Sequence, residues 1–227
     1  MDDVDDDRVR RADAAGHGRV ASRHCQATVV AAQIASAASQ DGRCAELLPQ
    51  PASREGEELR RRLSEDPASL TGLSLMRVNA YRNPPEISGT GVVNTRPWRA
   101  AEVPSTNGHG NARAVARLYS ALAGDGTLDG VRVLRPETVA RAAEEQVNGE
   151  DIVLQRPTRF GLGFQLTMAE RPLGPNPRAF GHFGAGGSLG FADPDAGLAF
   201  AYAMNQGRSG WQHKHVRRLI DLVYAAL

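Results

Sequence analysis

The chain is 227 residues long, 41% hydrophobic and 23% charged, enough to bury one globular core and too short for two large domains. Its 27 basic and 26 acidic residues leave a formal charge of +1, and the basic residues form no run that would track a phosphate backbone, so nucleic acid is excluded as an expected partner. All but one of the basic residues are Arg, and the exception, Lys214, is the only place where lysine chemistry can occur.

Cys25 and Cys44 are too few for a disulfide framework or a structural zinc cluster; they are read as free thiols, and neither a metal nor a cofactor is expected. The longest small-apolar stretch, Ala27 to Ala38, is interrupted by Gln33 and Ser36 and falls short of the roughly 20 residues a bilayer requires. It follows an acidic cluster, Asp2, Asp3, Asp5, Asp6 and Asp7, where a secretory signal would carry positive charge. These features predict a soluble, cytoplasmic chain without a membrane span.

Residues 1–43 contain no Phe, Trp or Tyr to anchor a core and are expected to form a frayed or weakly helical leader, set apart from 44–227. From Ala45 to Pro104, seven prolines restrict regular structure to short pieces, with helical turns over Glu57–Leu63 and a short helix within Pro67–Tyr81. Ala112, Val115, Ala116, Tyr119 and Leu122 then recur at helical spacing between a capping Asn111 and a terminating Gly124. Leu128 to Leu134, with Asp129-Gly130 at its turn, reads as a hairpin, and Pro136 opens a second helix to about Gln146. Short apolar runs at 152–155, 160–167, 179–183, 188–192 and 198–204, each bounded by turn residues, predict successive antiparallel strands. Val216, Leu219, Ile220, Val223, Tyr224 and Leu227 mark one face of a closing helix. Helices, then an antiparallel sheet, then a covering helix make an α+β fold.

The segment 180–190, Phe-Gly-His-Phe-Gly-Ala-Gly-Gly-Ser-Leu-Gly, has two readings. Its glycines let backbone approach a ligand and direct N–H groups at an oxyanion, or they serve a sheet edge that needs small residues. Gly186 to Gly190 matches G-x-S-x-G, but a nucleophile elbow needs a helix after the serine, whereas a strand is predicted here and only 39 residues follow Ser188. Asn107 and His109 sit in a polar loop entering the Ala112 helix, either facing a substrate or serving as turn and capping residues. His213 and His215, two apart, cannot form a bidentate metal site on a helix and are expected to face solvent.

Three stretches, Val93 to Arg113, Phe180 to Gln206 and the closing helix, together resemble the C-terminal part of serine β-lactamase-related hydrolases: class C β-lactamases, D-alanyl-D-alanine carboxypeptidases and family VIII carboxylesterases. The resemblance covers roughly residues 44–227, more loosely before Val93, and does not reach residues 1–43. It implies a sandwich of helices on an antiparallel sheet, incomplete at its N-terminal side, and an acyl-enzyme chemistry in which the serine of S-x-x-K attacks a carbonyl. His182-Phe183-Gly184 matches the family's H-x-G wall, so His182 would face the substrate carbonyl or carboxylate. Gly184, Ala185, Gly186 and Ser188 would flank the oxyanion pocket, with Asn107 and His109 as further substrate-binding positions. The expected ligand is a small ester, peptide or lactam.

No serine in the chain is followed three residues later by lysine, and Trp211 stands three positions before Lys214. Tyr81-Arg82-Asn83 fits the family's Y-x-N box formally but lies too near the Asn107-Gly108-His109 loop to be it. The chain is therefore expected to be inactive by itself and to associate through apolar surface left uncovered. Two alternatives are a non-catalytic binding or regulatory homologue that keeps the pocket wall, and a hydrolase that uses Ser188 with His213 or His215.

Overall fold

The structure, a computed structural model, describes residues 33–34, 36–48, 54–76, 91–102, 107–184, 186–208 and 213–227. The Cys25, Tyr81-Arg82-Asn83 and Ala185 positions, and most of the segment 1–43, lie outside the described residues. The part of that segment that is described forms a two-residue strand and a 3-10 helix. Strand β1 (Gln33–Ile34) pairs antiparallel with β2 (Gly108–His109), and Ala38–Arg43 form the 3-10 helix. Asp41 in that helix meets Arg96 at 2.6 Å, tying it to the short helix α3 described below.

The proline-rich region holds α1 (Arg54–Glu65), α2 (Leu70–Met76), a 3-10 helix over Gly91–Asn94 and α3 (Arg96–Ala100). Helix α1 runs longer than its sequence pattern predicted, because Glu58, Arg61, Arg62 and Glu65 lace its exposed face with pairs three and four residues apart. Helix α4 (Ala112–Ala123) is bounded as expected: the Asn111 side chain accepts from Ala114 N at 2.9 Å, and Gly124 follows the last turn. After it come the hairpin β3 (Thr127–Leu128) and β4 (Val131–Arg132), then α5 (Pro136–Ala142).

Six strands, β5 (Val147–Asp151), β6 (Arg156–Phe160), β7 (Gln165–Leu166), β8 (Phe180–Phe183), β9 (Leu189–Asp193) and β10 (Leu198–Tyr202), form one antiparallel sheet in the order β10-β9-β8-β7-β6-β5. The last three strands fall where the apolar runs placed them. The strand expected at 152–155 is instead the turn of the β5–β6 hairpin, with Gln155 at φ 51°. Helix α5 stops at Ala142, short of Gln146. The run 160–167 breaks at Gly161-Leu162-Gly163, where Gly163 takes φ 81° and only Gln165 and Leu166 rejoin the ladder.

Alternation along the strands divides the core between the two faces of the sheet. On one face Phe183, Leu189 and Phe191 pack with Val216 and Ile220 of the closing helix α6 (Lys214–Tyr224). On the other, Phe180 and Ala192 pack with Val139 of α5 and with Tyr119, Leu122 and Ala123 of α4. Gly190 permits the second contact: a Cβ at that position would overlap the Tyr119 ring and Val115. The two faces give three layers, α6, sheet and α4–α5.

Candidate functional site

His182 belongs to the face that carries Phe180, and it pairs with Gly190, the residue under Tyr119 and Val115 of α4. Its side chain is exposed, whereas its strand neighbours Phe180, Gly181 and Phe183 are buried. Strand alternation thus directs one polar ring out of an otherwise buried strand, onto the side from which α4 approaches. The Phe160 ring lies 6.1 Å away, centroid to centroid. Desolvation by these neighbours draws the His182 pKa below its ordinary 6.5, opposed by a hydrogen bond with the Phe183 backbone. This favours the neutral imidazole of His182, which can both donate and accept a hydrogen bond.

The strand β8 ends in a tight turn. Gly184 N donates to Ser188 O at 2.7 Å, and Gly187 N donates to Gly184 O at 3.1 Å. Gly186 and Gly187 take φ of 90° and 105°, conformations that favour glycine, and Arg208 N donates to Gly186 O at 3.1 Å. This turn carries the chain from β8 into β9, so Ser188 precedes a strand. A nucleophile elbow requires a strand-to-helix turn, and the G-x-S-x-G match is hairpin chemistry. His213 departs from expectation: it is half-buried with its ring against Gly187, and its Nε2 has no hydrogen-bond partner. His215 is exposed, as the sequence predicted.

Asn107 and His109 stand in a separate wall. They line a cavity of about 590 Å³ together with Cys44, Trp98, Asn111 and Met204. Asn107 is buried, and its Nδ2 donates to Trp98 O at 3.0 Å and to Ala101 O, which fastens the loop to the end of α3. His109 keeps a buried Nδ1 without a partner. Two ties close the cavity: Asn94 exchanges hydrogen bonds with Leu47 N and O at 2.8 and 3.0 Å, and Leu48 N donates to Asn205 O at 2.6 Å.

Met204 joins the two groups. It lines the cavity, and its Cε would lie 2.9 Å from a Cβ at Gly186. The structure therefore brings His182, Gly184, Gly186 and Ser188 together on one hairpin, and places Asn107 and His109 on the neighbouring cavity. Phe160, Met204 and Gln165, whose Oε1 accepts from Phe183 N at 3.1 Å, complete the surroundings. Sequence reading missed these three because each looks like an ordinary strand residue until the ladder is assembled.

Comparison with known proteins bears on the family and the fold. The β-lactamase family model matches residues 12–225, a span that begins inside the 1–43 segment. Over 110 residues the chain is 39% identical to the esterase/beta-lactamase LipL of Mycobacterium tuberculosis, a match covering 48% of this chain and 25% of that protein. Among solved structures, a family VIII carboxylesterase superposes with a TM-score of 0.70 at 38% identity, covering 87% of this chain and 47% of that one. A penicillin-binding protein homologue from Caulobacter crescentus gives 0.68 at 32% identity, covering 96% and 54%. The chain thus spans about half the length of these solved relatives. With helices on both faces of an antiparallel sheet and a match over nearly its whole length, the chain belongs to the β-lactamase family.

Proposed function

We propose that this chain recognises the carbonyl or carboxylate of a small ester, peptide or lactam on its His182-Phe183-Gly184 strand and, by itself, does not acylate. The observation that carries the first half is the exposed His182 on an otherwise buried strand, next to a glycine turn that lets backbone come close to a ligand. A neutral imidazole donates one hydrogen bond to a ligand oxygen without the penalty of a desolvated charge.

The second half rests on chemistry. Covalent catalysis needs a serine activated by an adjacent base. The chain contains no Ser-x-x-Lys, and its single lysine, Lys214, begins the closing helix α6. Ser188 is the serine nearest His182 along the chain, and it sits in a hairpin whose neighbouring imidazole, His213, has an unpartnered Nε2. Among the described residues no hydrogen bond joins that nitrogen to Ser188.

Calorimetric titration of the full chain with benzylpenicillin and with an alkyl ester tests the recognition step. Saturable binding, weakened at least tenfold by His182→Ala, is the expected result. Absence of saturable binding to either ligand, or binding indifferent to His182→Ala, contradicts the proposal.

A further inference from the structure

A second cavity, of about 370 Å³, opens on the α4–α5 side of the sheet, at the end of α4 opposite to His109. It shares no lining residue with the 590 Å³ cavity or with the turn 184–188. Its floor is apolar and already part of the core: Val139, Leu166, Ala179 and Phe180 are each less than a tenth exposed. Pro136, Pro177 and Pro194 stand at its rim, so the backbone around the opening has little freedom to collapse into it. Its volume falls within the roughly 300–1,000 Å³ of small-molecule pockets, and an apolar lining with a few polar groups is the usual composition of such sites.

The polar groups are two guanidiniums, Arg159 and Arg178. Arg159 donates from Nε to Glu145 Oε2 at 2.6 Å and from Nη1 to Thr167 O at 2.8 Å. Arg178 donates from Nε to Asp195 Oδ1 at 2.7 Å, with Nη2 on the same oxygen. Among the described residues, Nη1 of Arg178 and Nη2 of Arg159 have no hydrogen-bond partner. Glu145 and Asp195 hold the guanidiniums in partly exposed ion pairs, which contribute little to stability. A planar guanidinium with a vacant N–H edge beside an apolar floor suits a carboxylate attached to an apolar body.

We propose that this cavity binds an amphiphilic carboxylate with a medium-length aliphatic chain. The aliphatic chain lies against Leu122, Ala140 and Ala143, above the buried Leu166 and Phe180, its carboxylate meets Nη1 of Arg178, and Arg159 adds a second guanidinium. The cavity shares Phe180 with the strand that carries His182 but does not include His182 itself, and the proposal does not depend on how His182 is read.

The test is calorimetric titration of the full chain at pH 7 with sodium decanoate and, in parallel, with neutral decanol. One saturable decanoate site is expected. Arg178→Gln should weaken decanoate binding at least tenfold and leave decanol within twofold, because only the acid uses the guanidinium. Ala140 lines the cavity from the exposed face of α5, so Ala140→Trp should abolish binding of both ligands, while Ala140→Ser keeps decanoate within twofold. The proposal is overturned if decanoate shows no saturable binding below its micelle concentration. It is equally overturned if Ala140→Trp, folded by its thermal transition, binds decanoate as the parent does, or if Arg178→Gln leaves decanoate binding unchanged. Should Ala140→Trp fail to fold, the Arg178→Gln comparison of the two ligands decides alone.

Discussion

A single imidazole sets the pH behaviour of the recognition strand. His182 is held below its ordinary pKa, chiefly by desolvation, so on acidification the unfolded chain takes up the proton first. Its contribution to stability is therefore intact above about 6.5, the ordinary value, and is lost as the pH falls through the lowered folded-state value. Proton NMR should give a His182 titration midpoint below 6.5, and His182→Phe should flatten the acid limb of the melting temperature. A midpoint at or above 6.5 would remove the desolvation argument. A second residue-scale knot lies across the sheet. Asp193 is fully buried and accepts from Asn176 Nδ2 at 2.8 Å, from Asp195 N and Ala196 N at 3.0 and 3.1 Å, and from the Tyr224 hydroxyl. Burial, followed by the Asp193 contact, raises the Tyr224 pKa well above its usual 10. Tyr224→Phe removes one hydrogen bond to a charged acceptor and should cost about 1.5–3 kcal/mol in urea unfolding. No loss would mean that the hydroxyl is equally satisfied by water. No sequence pattern marks this role for Asp193, because it needs Tyr224, 31 positions later at the end of the closing helix.

At the scale of elements, the β9–β10 hairpin and helix α4 form one packing unit. Helix α4 packs across β9 and β10, with a close approach at Gly190, and Gly190→Val would drive a branched side chain into Tyr119 and Val115. Overpacking of this kind costs about 1–3 kcal/mol or more, equivalent to a melting temperature lower by several degrees in a chain of this size. Gly42, with open space at its Cβ, supplies the control: Gly42→Ala should stay within about 0.5 kcal/mol. Equal melting temperatures for the two variants would contradict the packing described. Which elements were legible in the sequence follows from how each strand is buried. β8, β9 and β10 carry dense apolar text because most of their side chains pack into one core layer or the other, His182 excepted, and α4 carries both its caps and its period. β5, Val-Asn-Gly-Glu-Asp, is mostly exposed and held by its ladder with β6, so no apolar alternation announces it. The same limit applies to the site. His182 and the turn after it were visible as a motif, whereas Phe160, Gln165 and Met204 come from three other places in the chain and meet only through sheet order.

For the whole molecule, family membership and reactivity separate. The fold is that of a β-lactamase-family protein, while no serine in these 227 residues is followed three positions later by lysine. The family relationship accounts for the architecture, and the proposed lack of acylation rests on the lone lysine. Intact-protein mass spectrometry after prolonged incubation with an alkyl fluorophosphonate measures this directly. The chain is expected to keep its unmodified mass. A stoichiometric adduct mapped to any serine, Ser188 above all, would contradict it.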